Sequence, residues 1–130
     1  MFDKVKKEIE ELIEKKCLNC SVEQFKDKVD WNEISCSQKL SKDFIKEFKE
    51  EVNWDWISEC QTLSEDFIRE FKNKVDWTNI SSNQILSLDF IREFKNKLDL
   101  DYLLRNNRIS QSFYNFLLHE KVNRFELMDI

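Results

Sequence analysis

The chain of 130 residues contains no glycine, no proline and no alanine. Without glycine, the phosphate-cradling loops of Walker and dinucleotide-binding type are excluded, because they need backbone where no Cβ fits. A Gly-x-Ser-x-Gly nucleophile elbow is excluded for the same reason. No run approaches 18 consecutive apolar residues, so no membrane-spanning helix is expected. The opening segment MFDKVKKEIEELIEKK is charged throughout and lacks the uninterrupted apolar core of a signal peptide. Four cysteines without a secretion signal point to a reducing compartment, where thiols stay free or bind metal, and the expected location is cytoplasmic. What is present argues for a folded domain. The apolar fraction of 41%, with eleven Phe and four Trp, is too high for a disordered chain. The net charge of −5 argues against a duplex-DNA binder, which would carry a basic face.

Self-similarity is the strongest signal. Trp31, Trp54 and Trp77 are spaced by 23 residues, and Leu100 continues the series. Phe25, Phe48, Phe71, Phe94 and Leu117 keep that interval, as do Leu40, Leu63, Leu86 and Ile109. The segment 40–62 aligns without a gap on 63–85, and a third copy occupies 86–108. A degenerate copy, CLNCSVEQFKDKVDWNEISCSQ, precedes them in 17–39, and a worn one begins at ISQSFYNFLLHEKV in 109–130. A fixed period of this length is the signature of stacked repeats.

Each unit reads as two short helices. In SEDFIREFKNK, Ser64 is a natural N-cap, Glu65 and Asp66 suit the first turn, and Lys72 and Lys74 suit the last. Phe67, Ile68, Phe71 and Val75 form one apolar stripe at helical spacing. Asp76 then caps a second helix, WTNISSNQ, which buries Trp77 and Ile80. Asn73 and Asn96 are expected to take the left-handed turn that glycine would otherwise supply. Helices of about 8–10 residues are unstable alone in water and depend on their neighbours. The expected fold is therefore all-α: tandem helical hairpins stacked as a short α-solenoid. Residues 1–16, with Phe2, Val5, Ile9, Leu12 and Ile13 on one stripe, form its N-terminal capping helix. Val122, Phe125, Leu127 and Met128 close the other end of a single domain, 1–130.

The pattern LSxDFIxEFxxxVDWxxISxxQ resembles short helical repeats in proteins of large DNA viruses and in some phage and bacterial proteins. The resemblance runs from Phe25 to Leu117, with the leading and worn copies departing from the pattern. It implies a helical-repeat fold and a viral or phage origin, and it carries no catalytic residues. The function it suggests is a small accessory protein that binds a host factor in the host cytoplasm, such as an inhibitor of a CRISPR nuclease.

Repetition separates scaffold from site. Positions shared by the copies, such as Leu63, Ser64, Phe67, Phe71, Trp77, Ser81 and Gln84, are expected to build the interface between units. A binding site should use outward positions that differ. The column two after the Trp reads Glu33, Trp56, Asn79, Tyr102, so Trp56 and Tyr102 place aromatics where other copies are polar. Exposed aromatics are common anchors of protein interfaces. Leu88 stands where other copies have Lys42, Glu65 and Gln111, and is the third candidate for partner binding.

Two further readings come from other residues. Cys17, Cys20, Cys36 and Cys60 give a C-x₂-C-x₁₅-C-x₂₃-C spacing, which suits a structural zinc only in part. The alternative is free thiols, with Cys17 in the column of Leu40 and Leu63 acting as a small hydrophobe. Lys46, Arg69 and Arg92 form a basic column of the kind single-strand binders use, but Glu47, Glu70 and Glu93 lie beside it. His119, the only histidine, reads as a solvated helix-end residue. Acids recurring in three copies read as helix caps rather than as a catalytic pair, so no enzyme is expected. The leading expectation is a protein-interaction module without a cofactor. A zinc-stabilised scaffold and a single-stranded nucleic-acid binder are the alternatives.

Overall fold

The computed structural model describes residues 3–120. Every regular element among the described residues is helical. In chain order these are α1 (Asp3–Lys15), α2 (Phe25–Lys28), α3 (Trp31–Ser37), α4 (Lys42–Glu47), α5 (Trp54–Cys60), α6 (Glu65–Glu70), α7 (Trp77–Asn83), α8 (Leu88–Glu93), α9 (Leu100–Arg105) and α10 (Gln111–His119). None is long and apolar enough to cross a membrane. Phe2, Val122, Phe125, Leu127 and Met128 lie outside the described residues.

Helix starts follow side-chain caps. Ser41, Ser64, Ser87 and Ser110 accept from the N–H of Phe44, Phe67, Phe90 and Phe113, opening α4, α6, α8 and α10. Asp30, Asn53, Asp76 and Asp99 do the same for α3, α5, α7 and α9. Each cap satisfies one amide that the helix itself leaves unpaired.

The helices are shorter than their apolar stripes predict. α6 stops at Glu70 because Phe71 leaves the helical region at φ −108° and ψ 29°. Two amides, of Lys74 and Val75, then share the Phe71 carbonyl in a turn. Lys72 and Lys74 therefore sit in that turn, and Arg69 is the basic residue of the last helical turn. Asn73 and Asn96 do not take the expected left-handed conformation, which among the described residues falls to Cys17 (φ 55°) and Asn107 (φ 58°). The shared-carbonyl turn reverses the chain with every φ negative, so neither glycine nor asparagine is required there.

Successive units are held by three recurring devices. The first is aromatic. The ring centroids of Trp31, Trp54 and Trp77 lie 5.0, 5.1 and 5.0 Å from those of Phe48, Phe71 and Phe94 in the following unit. Each indole N–H donates back to a carbonyl, of Lys26, Lys49 or Lys72. The tryptophans are consequently half-buried, not fully enclosed, while Ile34, Ile57 and Ile80 beside them are fully buried.

The second device is a buried serine. The Ser58 hydroxyl donates to the Trp54 carbonyl at 2.7 Å and accepts from the Asp76 amide at 3.0 Å. Ser35 and Ser81 repeat this pattern with Asn53 and Asp99. The third is a buried glutamine. Gln84 Nε2 donates to the carbonyls of Ser58 and Gln61, and its Oε1 accepts from the Leu63 amide. Gln61 does the same to Ser35, Gln38 and Leu40. No buried side-chain polar atom among the described residues lacks a partner.

These contacts stack α3, α5, α7 and α9 in succession. The apolar residues buried along the chain, from Val5 to Leu117, form one connected core. α1 packs on α4, burying Val5, Ile9 and Leu12. Its Glu8 accepts from the backbone N–H and the hydroxyl of Ser41, at 3.0 and 2.5 Å. Glu65 of α6 holds Ser87 in the same way. The Glu8–Ser41 and Glu65–Ser87 contacts are therefore alike, although α1 lies outside the 23-residue pattern.

Candidate functional site

The caps that start α3, α5, α7 and α9 also place the residues of interest. The amides held by Asp30, Asn53, Asp76 and Asp99 are those of Glu33, Trp56, Asn79 and Tyr102, a column in which the units differ in chemistry. Trp56 and Tyr102 therefore occupy equivalent positions on α5 and α9, on either side of α7. Between them Asn79 Nδ2 donates to the Asp55 carbonyl.

Trp56 is 43% exposed, and Tyr102 is half-buried. The other three tryptophans give their indole N–H to carbonyls, whereas that of Trp56 has no partner among the described residues. Its ring forms one wall of a groove of about 330 Å³ lined by Asn32, Glu33, Cys36 and Ser37 of α3. Asn53 helps to shape this wall. As an amide rather than an acid it caps α5 and also donates to Asn32 Oδ1 at 2.8 Å. Glu33 is paired with Lys16, and its second partner is the Ser37 hydroxyl at 2.8 Å. Those two hydrogen bonds hold the Glu33 carboxyl below the usual carboxylate range.

Leu88 is 53% exposed at the start of α8, on the first helix of its unit, so it is not in line with the Trp56–Tyr102 column. Three exposed apolar side chains were not singled out from the sequence: Ile85, Phe116 and Leu118. The same signal was available for each. Ile85 stands in the column of Lys39 and Thr62, Phe116 in that of Glu47, Glu70 and Glu93, and Leu118 in that of Lys49, Lys72 and Lys95. Phe116 keeps its column's role in part, since the Arg92 guanidinium lies 5.4 Å from its ring centroid.

The four cysteines do not converge. Cys36 and Cys60 form a disulfide between α3 and α5, with Cα atoms 5.0 Å apart. This corrects the expectation of free thiols for that pair. A separation of 24 residues, one more than the repeat, lets the facing surfaces of consecutive second helices meet. Cys17 is exposed and Cys20 is half-buried, both as free thiols. Among the described residues no group of three or more His, Cys, Asp or Glu side chains is placed to hold a metal ion.

The basic column is matched by carboxylates of the following unit. Lys46 pairs with Glu70 at 3.0 Å, Arg69 with Glu93 at 3.0 Å, and Arg92 with Glu120. Lys95 joins the last pair at 3.0 Å, and the two cations together depress the Glu120 pKa. The result is a ladder of alternating charge along α4, α6 and α8. His119 ends α10 and is exposed. Comparison with known protein families, with curated proteins and with solved structures finds no match to this chain.

Proposed function

We propose that the chain is a single helical-repeat domain acting as a non-enzymatic protein-interaction module. Its architecture is a short α-solenoid of tandem hairpins, with 1–16 as the N-terminal cap, and its partner docks on the Trp56 groove. The observation that carries this reading is Trp56 itself. Three tryptophans are spent on equivalent contacts between units, and the fourth is exposed beside a groove with its N–H free of partners among the described residues. A ring that large, exposed on a fixed helix, loses little freedom on binding and buries much apolar surface.

The recurring serine and glutamine contacts support the stacked architecture, because each joins one unit only to the next. The charge ladder weighs against nucleic acid, since the cations that would meet phosphate already face carboxylates. The cysteine pairing leaves zinc without a converging ligand set among the described residues. The narrower reading, an inhibitor of a host defence protein such as a CRISPR nuclease, extends the proposal on sequence resemblance alone.

The test is capture of partners by the tagged full chain, quantified by mass spectrometry beside a Trp56→Ala plus Tyr102→Ala variant of unchanged helicity. One stoichiometric protein, lost with the variant, is the expected result. A partner retained in full by the variant would move the site away from Trp56.

A further inference from the structure

The helices that carry the groove have an unusual charge pattern. α3, α5 and α7, with sequences WNEISCS, WDWISEC and WTNISSN, contain no Lys or Arg. They present Glu33, Asp55 and Glu59, and Asp55 and Glu59 are exposed. Carboxylates on the first helices, such as Glu70 and Glu93, are paired across units. Asp55 and Glu59 take part in no ion pair among the described residues. Glu59 follows Trp56 by three residues on the same helix and therefore shares its face. Glu33 lines the groove together with Trp56 and already holds one ammonium group, that of Lys16 just after α1.

An exposed indole with Glu59 on its helix face and Glu33 in its groove suits one class of side chain above others. A guanidinium or ammonium group is attracted to the ring face, most strongly for tryptophan, and acids on the same helix provide hydrogen-bond acceptors for it and for neighbouring cations. We infer that the occupant of the Trp56 groove is an arginine- or lysine-rich segment of the partner protein, with one cation lying on the ring and its neighbours meeting Asp55 and Glu59. This inference rests on the proposed interaction site and adds the chemistry of what binds there. Charge complementarity on this face supplies both attraction and orientation.

A hexa-arginine peptide is the probe, with a hexa-glutamate peptide and a neutral Ser/Leu peptide of equal length as comparisons. The readout is the Trp56 indole N–H signal in ¹⁵N-labelled full chain, assigned with Trp56→Phe. The arginine peptide is expected to shift that signal while those of Trp31, Trp54 and Trp77 stay in place. Asp55→Asn plus Glu59→Gln is expected to weaken the peptide by about tenfold. Asp43→Asn plus Asp89→Asn removes the same charge from the first helices and is expected to change binding by less than about twofold.

An unmoved Trp56 signal would overturn the inference. So would equal weakening by the two double variants, which would mean attraction to net charge alone, or a larger shift with the neutral peptide. The interaction reading fails separately, when a captured partner is indifferent to Trp56→Ala plus Tyr102→Ala.

Discussion

Trp77 and Trp56 lie in the same pair of helix types but in different columns, and substitution should separate their roles. Trp77→Ala removes a ring stacked on Phe90 and Phe94 and is expected to cost about 3 kcal/mol in urea unfolding. Trp56→Ala removes a half-exposed ring and is expected to cost less than about 1 kcal/mol. Gln84 and Gln38 form a second contrast. Gln84→Ala strands buried carbonyls and an amide and should cost about 2 kcal/mol, whereas the Gln38 side chain bonds only the neighbouring Ser37 hydroxyl, and Gln38→Ala should change stability by less than about 0.5 kcal/mol. Equal losses at the two positions would contradict the role given to the glutamine. Glu33 adds a small pH effect. Its folded pKa is depressed by Lys16 and Ser37, so its contribution is complete above the unfolded carboxylate range and is lost as pH falls through the lower, folded value. Lys16→Met should reduce that acid-side loss in the stability–pH curve, measured by thermal unfolding, and leave the part due to the Ser37 hydroxyl.

At the scale of elements, the caps were legible and the helix lengths were not. Ser64 and Asp76 stand before apolar runs and act as read. The stripe Phe67, Ile68, Phe71, Val75 is buried as a set. Its spacing cannot distinguish a continuous helix from a helix that ends in a turn, because both keep Phe71 and Val75 facing inward. That ambiguity hides the end of the first helix at Glu70, and with it the turn in which Asn73 and Asn96 do not take the expected left-handed conformation. The pairing of Cys36 with Cys60 was also hidden, because it depends on how consecutive second helices face one another. The disulfide closes a loop of 23 intervening residues, and chain-entropy arguments give it about 3 kcal/mol. Cys36→Ser plus Cys60→Ser should lower unfolding stability by about that amount without reductant. Added dithiothreitol should bring the parent chain down to the variant's level and leave the variant unchanged.

On the scale of the whole molecule, sameness and difference between copies have separate uses. The columns that repeat, Trp31/Trp54/Trp77, Ser35/Ser58/Ser81 and Gln61/Gln84, make the contacts between units. The exposed apolar residues Trp56, Leu88, Ile85, Phe116 and Leu118 all stand in columns that are otherwise mostly polar. Comparing columns therefore locates candidate contact residues without a structure, although it cannot give the groove beside Trp56, which needs α3 placed against α5. In the proposed solenoid each unit would meet its neighbours and little else, so units should be removable.

Deletion of residues 63–85 is the measurement that tests this most directly. It joins Thr62 to Leu86 in register and leaves α3, α5 and the Trp56 groove in place. The shortened chain is expected to keep its helical content per residue by circular dichroism and to unfold in one cooperative transition at a lower temperature. Loss of helicity, or of the cooperative transition, would contradict an account built on interchangeable stacked units.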